Sequence, residues 1–121
     1  MVVFSRTVLV IALLRLILRQ SKVSQVLLAK ELGLAACTIS RHLTFKECLP
    51  YRLIDDTLHV CKCHSPDRHA VPDYHQFHRL MFKLEEQMKR SVRIRQAVHD
   101  ELGTIDMQYV TSIVKPFYER L

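Results

Sequence analysis

Residues 23–45 read VSQVLLAKELGLAACTISRHLTF, and the interpretation of the whole chain depends on this stretch. It contains two short helical patterns, over residues 24–32 and about 35–45, which meet at Gly33. Ser24 is suited to begin the first helix, because its hydroxyl can accept a free backbone N–H of the first turn. Gly33 is suited to end that helix, because glycine readily adopts the left-handed conformation of a sharp turn.

Two further positions indicate that these helices cross closely. Ala29 supplies a small side chain four residues before Gly33, and Ile39 supplies a branched apolar one six residues after it. The small residue lets the helices approach, and the branched residue fills the angle between them. Together they predict a helix-turn-helix unit. The alternative is an αα-hairpin that only packs inside the protein.

The second of these helices also resembles the recognition helix of known DNA-binding proteins. Residues 38–41 (TISR) are similar to the T-V-S-R run of lac-repressor-type regulators, and residues 40–43 (SRHL) are similar to the recognition helix of winged-helix repressors. The resemblance covers about twenty residues and indicates the superfamily of prokaryotic helix-turn-helix transcriptional regulators. It implies sequence-specific binding of double-stranded DNA, with residues 35–45 in the major groove.

The resemblance also implies roles for individual side chains. Those expected in the major groove are Ala35, Ala36, Cys37, Ser40, Arg41 and Thr44. Those expected near DNA phosphates are Thr38 and Lys46, with Lys22, Ser24 and Gln25 at the start of the first helix. Arg41 is the strongest candidate for contacting a base, because its guanidinium matches O6 and N7 of guanine. His42 departs from the usual pattern, which has an apolar residue there.

Composition and charge agree with this interpretation. A chain of 121 residues with 49% hydrophobic and 25% charged residues is typical of one globular domain, here with an appended arm. Residues 1–54 hold eight Lys or Arg and two Asp or Glu, whereas residues 55–121 hold ten of each. The net charge of +6 therefore lies in the half with the helix-turn-helix, as attraction to phosphates requires. Four cysteines without a disulfide pattern favour a reduced, cytoplasmic setting.

The first twenty residues are strongly apolar and raise the question of a membrane anchor or a signal peptide. Arg6, Arg15 and Arg19 interrupt the run, and its longest uncharged stretch, residues 7–14, is far shorter than the ~20 residues of a spanning helix. We therefore expect no membrane partner. A helix that is apolar nearly all round is instead expected to be buried on more than one side.

Beyond Pro50 the sequence pattern predicts a β-hairpin. Residues 51–54 and 58–63 form two short apolar runs around Asp55-Asp56-Thr57, and the second run alternates between apolar and polar positions. A hairpin directly after a recognition helix is the wing of a winged helix, which completes a DNA-binding domain over residues 1–64. Arg52 and Lys62 are then the expected phosphate contacts of the wing.

A region rich in histidine and cysteine overlaps the second predicted strand. If it binds zinc, the best ligands are Cys61 and Cys63 with two of the nearby histidines, which are His64, His69, His75 and His78. On a strand, two cysteines separated by one residue present both sulfurs on one face. The spacing departs from the usual pair with two intervening residues, so a plain strand and a polar loop are favoured, and no cofactor is expected.

The C-terminal part is expected to be a helical arm that follows a linker over residues 65–72. Asp73 can cap a long helix to about residue 102, whose stripe at spacings of three and four predicts a coiled-coil seam. This stripe comprises Tyr74, Phe77, Met81, Leu84 and Met88. Thr104 is expected to cap a last helix over residues 105–115, with Ile105, Tyr109, Ile113 and Phe117 on one side. Residues 73–121 would then join a homodimer or, alternatively, fold back onto the N-terminal helix of a monomer.

The sequence thus predicts a mainly α protein: a three-helix helix-turn-helix core, a short β-hairpin wing and a C-terminal two-helix arm. The favoured function is regulation of transcription by a DNA-binding homodimer. The alternatives are a DNA-binding accessory protein of replication, partition or recombination, and a helical protein-interaction module that binds no nucleic acid. An enzyme is not expected, because the chain has no glycine-rich phosphate loop. Four aspartates that could serve catalysis lie in a turn and a linker without an evident partner: Asp55, Asp56, Asp67 and Asp73.

Overall fold

The fold was obtained as a computed structural model, which describes residues 6–44, 46–89 and 106–121. The described helices are α1 (Arg6–Gln20), α2 (Gln25–Leu32), α3 (Ala36–Leu43), α4 (Tyr51–His64), α5 (Tyr74–Lys89) and α6 (Met107–Glu119). A short 3₁₀ turn, Arg68–Ala70, lies between α4 and α5. The mainly helical character predicted from the sequence is confirmed.

Helix α1 lies at the centre of the protein. It packs along α6 and also contacts α3, α4 and α5. Nine of its fifteen residues are buried: Val8, Leu9, Ile11, Ala12, Leu13, Leu14, Leu16, Ile17 and Leu18. This confirms the prediction of a helix buried on more than one side for residues 6–20, and each buried Val, Leu or Ile side chain contributes ~1.5–3 kcal/mol to folding.

The predicted β-hairpin wing is wrong. Residues 51–64 form the single helix α4, and no strand occurs in the described part of the chain. The buried residues Leu53, Thr57, Leu58 and Cys61 follow helical steps of one, three and four, so they lie on one face of a helix. The alternation over residues 58–63 is too short to outweigh that face, and the supposed turn around Asp55 lies in the second helical turn.

Helix α5 begins as the sequence predicts. The backbone N–H of Gln76 donates to Asp73 Oδ1 at 2.8 Å, and the N–H of Asp73 donates to Gln76 Oε1 at 3.0 Å. This reciprocal pair of bonds is a capping box. Four members of the predicted coiled-coil seam, from Phe77 to Met88, are buried in the chain's own core. The predicted continuation to residue 102 lies outside the described residues.

Helix α6 differs in register from its prediction. Its cap is Asp106, whose Oδ1 accepts from the N–H groups of Gln108 at 3.0 Å and Tyr109 at 3.3 Å. The buried face carries Met107, Val110, Thr111 and Val114, whereas Tyr109 is exposed. The predicted cap Thr104 and Ile105 lie outside the described residues. Because α6 lies against α1, the C-terminal part folds back onto the N-terminal helix within the chain. The predicted domain boundaries and homodimer stay predictions.

Candidate nucleic-acid interface

The turn between α2 and α3 has the local structure that its residues predict. Ser24 Oγ accepts from the N–H of Leu27 at 3.1 Å, so the hydroxyl proposed for a phosphate already caps α2. Gly33 adopts φ 67°, in the left-handed region, and ends α2. The N–H of Leu34 then donates to the carbonyl of Ala29 at 2.9 Å, which closes the turn.

Helices α2 and α3 form a single unit, residues 24–44, which we call the α2–α3 unit. Its inner side consists of Leu28, Ala29, Ile39 and Leu43, each of which is at most 3% exposed. Ala29 and Ile39 are the two residues that the sequence predicts for this crossing. The inner side joins the common core, so the opposite side of α3 is held facing solvent.

The solvent-facing side of α3 carries most of the residues predicted to enter the major groove. Ala35, Ala36, Cys37 and Arg41 are exposed, while Thr38, Ser40 and Thr44 are partly buried. The Thr44 hydroxyl donates to the carbonyl of Ser40 at 2.7 Å, so it is engaged at the end of α3. The exposed groups on this side of α3 are therefore small side chains and the Arg41 guanidinium.

Arg15 of α1 anchors the C-terminal end of α3. Its Nη1 donates to the carbonyl of Leu43 at 3.0 Å, one of the carbonyls that a helix end leaves without an intrahelical partner. Burial lowers the pKa of Arg15, the nearby charge of Arg19 lowers it further, and Asp106 opposes both effects. The sequence interpretation used Arg15 only as an argument against a membrane helix. The signal available in the sequence is an arginine flanked on both sides by apolar residues, within residues 8–18.

The chain after α3 bends back beside Arg41. The N–H of Lys46 donates to the Arg41 carbonyl at 2.9 Å, and Lys46 itself is exposed. This bend brings Glu47 Oε1 to 3.4 Å from Arg41 Nη1. Sequence reasoning missed Glu47, which lies six positions from Arg41 and beyond the predicted motif.

Cationic side chains lie within the α2–α3 unit and directly beside it. Lys22, Lys30, Arg41 and Lys46 are exposed. Lys22 has φ 58°, which lets the connection between α1 and α2 turn within four residues. Gln25, the other phosphate contact predicted at the start of α2, is partly buried. The α2–α3 unit contains one acid, Glu31. Its Oε1 lies 3.2 Å from Nε2 of His64 and links α2 to α4.

The two cations assigned to the wing do not lie on a hairpin. Arg52 is exposed in the first turn of α4, and Lys62 is partly buried in its last turn. Ten residues of α-helix separate them by about 15 Å along the axis. Lys62 instead lies near Asp73, whose pKa is lowered chiefly by the bond from the Gln76 backbone and further by Lys62. The assignment of Arg52 and Lys62 to one wing is therefore wrong.

The geometry predicted for a zinc site is also wrong. Cys61 and Cys63 lie on a helix, where residues two apart point about 200° from one another. Cys61 is buried and Cys63 is exposed, and burial raises the pKa of the Cys61 thiol to about 11, which disfavours the thiolate that zinc binds. Among residues 6–44, 46–89 and 106–121, no group of three or more His, Cys, Asp or Glu side chains could hold a metal ion. His69, in the 3₁₀ turn, is exposed.

Comparison with known proteins finds no matching family model, curated protein or solved structure. Within the described part of the chain, no helix is long and apolar enough to cross a membrane.

Proposed function

We propose that this protein binds double-stranded DNA through the α2–α3 unit and regulates transcription, with α3 in the major groove. The proposal rests on one observation: one side of α3 faces solvent, while its opposite side, with Ile39 and Leu43, is buried in the core. An α-helix with its side chains is about 10–12 Å across, and the major groove is about 12 Å wide, so the groove admits one helix such as α3. A rigid support fixes the direction from which α3 enters.

The exposed side chains of α3 suit this task in two ways. Ala35, Ala36 and Cys37 are small, so the N-terminal end of α3 can approach base edges closely and contact a thymine methyl group. Arg41, one to two turns further along, can bond to O6 and N7 of guanine. Few groups can therefore make direct base contacts, and specificity rests largely on Arg41 and on DNA shape.

The exposed lysines provide attraction that does not depend on sequence. Lys22 precedes α2, Lys30 lies in its last turn and Lys46 follows α3. Contacts of lysine with phosphates release counterions, so binding should weaken steeply as the salt concentration rises. A homodimer would place two such units on half-sites about 34 Å apart and is part of the proposal.

One observation favours a second candidate, a protein-interaction module without nucleic acid. Val26 is 68% exposed and Leu34 is 43% exposed, and both lie in the α2–α3 unit. Ala35 and Ala36 are also exposed, so the unit presents several apolar side chains to solvent, and exposed apolar patches often mark protein partners. The two candidates differ in their dependence on salt and on Arg41.

The test begins with selection of bound sequences from random duplex DNA by the full chain. Fluorescence anisotropy then compares the selected duplex with a scrambled one for the parent, Arg41→Ala and Arg68→Ala. Arg68 is an exposed control that makes the same change of charge outside the α2–α3 unit. We expect Arg41→Ala to lose about fivefold or more of the preference for the selected duplex, since a good bidentate base contact is worth ~1–3 kcal/mol.

Arg68→Ala should keep that preference. Enrichment of no sequence, together with no salt-dependent binding of any duplex by the parent, would contradict DNA binding. Equal discrimination by the parent and Arg41→Ala would contradict the role given to Arg41 alone.

A further inference from the structure

Glu47 is placed beside Arg41 by the backbone rather than by a flexible side chain alone. After α3, the Arg41 carbonyl accepts from two N–H groups, that of Lys46 at 2.9 Å and that of Glu47 at 3.4 Å. These bonds turn the chain back toward the end of α3. The position of the Glu47 backbone is thereby tied to the residue whose side chain it meets.

The Glu47 carboxylate contacts two neighbouring side chains of α3. Its Oε1 lies 3.4 Å from Arg41 Nη1, and its Oε2 lies 4.0 Å from His42 Nε2. The side chains of Arg41 and Glu47 are 59% and 43% exposed, whereas that of His42 is only 12% exposed. Of these two partners of Glu47, Arg41 is therefore the one that can leave and contact another molecule.

We infer that Glu47 limits the affinity of the proposed interface by holding the Arg41 guanidinium in the free protein. This inference rests on the proposed function. A carboxylate oxygen, a phosphate oxygen and the acceptors of guanine all accept from a guanidinium N–H, so Glu47 and DNA compete for the same donor group of Arg41. Glu47 thus occupies the group of Arg41 that the DNA would bind.

The solvent exposure of the Arg41–Glu47 ion pair limits how far Glu47 can weaken DNA binding. Exposed ion pairs are weak, so Glu47 competes weakly and yields to a better partner. Removing its charge should free Arg41 and tighten DNA binding by about two- to fivefold. If Glu47 acts through Arg41, this gain must vanish when Arg41 is absent. A gain caused only by less repulsion of phosphates would persist without Arg41.

A double-mutant cycle separates these cases. The affinity of one selected duplex is measured by anisotropy for the parent, Glu47→Gln, Arg41→Ala and the double variant, at a single salt concentration. Glu119→Gln is the matched control, because Glu119 is also an exposed acid beside a basic side chain, with Oε1 3.8 Å from Lys115 Nζ, but lies in α6, outside the α2–α3 unit. Circular dichroism checks that all variants keep the helical content of the parent.

We expect Glu47→Gln to bind about two- to fivefold more tightly than the parent. In the Arg41→Ala background the same change, like Glu119→Gln in the parent, should alter affinity by less than about 1.5-fold. Binding by the parent with no gain for Glu47→Gln, or with an equal gain in both backgrounds, would overturn the inference and leave the proposed function standing. Failure of the parent to bind any duplex would overturn both.

Discussion

Helix α1 and the α2–α3 unit use their side chains in opposite ways. In α1, nine of fifteen residues are buried, and the helix contacts α3, α4, α5 and α6. In α2 and α3 together, only four of sixteen residues are buried. The difference shows a division of labour: α1 holds the fold together, and the α2–α3 unit presents a surface on that support. Substitutions of buried residues in α1 should therefore lower stability, whereas substitutions on the exposed side of the α2–α3 unit should change binding with little effect on stability.

The largest expected effect comes from removing a side chain of α1. Ile11 is completely buried, so Ile11→Ala removes apolar contacts and leaves a cavity, with an expected loss of about 2–5 kcal/mol in the free energy of unfolding. Val26 in α2 is 68% exposed, so Val26→Ala should change it by no more than about 0.5 kcal/mol. Urea denaturation of both variants and the parent measures the two values. Similar losses would contradict the proposed division of labour.

A smaller effect is expected at the turn inside the α2–α3 unit. Gly33 has φ 67°, and a Cβ added there would meet no atom within 4 Å. Gly33→Ala should therefore cost only the backbone strain of a left-handed alanine, about 1–2 kcal/mol. Gly33→Asn should cost less, because asparagine tolerates this conformation.

The same denaturation experiment tests Gly33. A loss for Gly33→Ala as large as that for Ile11→Ala would mean that the turn is packed as tightly as the core. No loss for Gly33→Ala would mean that the turn does not need the left-handed conformation.

The smallest effect concerns the thiols. Cys37 of α3 is exposed, as are Cys48 and Cys63, whereas Cys61 is buried with a pKa raised to about 11. We expect a thiol reagent at pH 8 to modify three cysteines rapidly and the fourth only on unfolding. Rapid modification of all four thiols in the folded protein would contradict the burial of Cys61.

The raised pKa also predicts how stability depends on pH. The Cys61 thiol ionises near 9.0 when unfolded and near 11 when folded, so the folded state retains the proton over this range. Its contribution to stability is fully present below pH 9 and is lost as the pH rises through about 11. Cys61→Ala should reduce this decline in urea denaturation midpoints, and an unchanged decline would assign it to other groups.

The parts of the fold that the sequence predicts correctly have a strong local pattern. Residues 6–20 are apolar nearly all round, and Ser24 and Gly33 carry the chemistry of a helix start and end. The prediction of a β-hairpin wing is wrong because its apolar runs are short, and short apolar runs fit both a strand and a buried helix. Burial of Leu58 and Cys61 in the core shared with α1 is a long-range effect that no local pattern contains.

The candidate site was predictable to a similar extent. Arg41 and the small residues at the start of α3 came from the motif, and the structure places them on the solvent side. Arg15 reaches the Leu43 carbonyl across 28 positions, and Glu47 reaches Arg41 through a backbone turn after α3. Both contacts depend on how elements meet in space, so the sequence alone could not provide them.

Titration of the ¹⁵N-labelled full chain with a selected duplex, followed by amide chemical shifts, tests most directly the claim that the α2–α3 unit is the binding surface. We predict that the largest changes in amide chemical shift lie in residues 22–47, with Arg41 and Glu47 among them, and that the amides of α5 and α6 change little. Saturable changes confined to α5 or α6, or no saturable change at all, would contradict it.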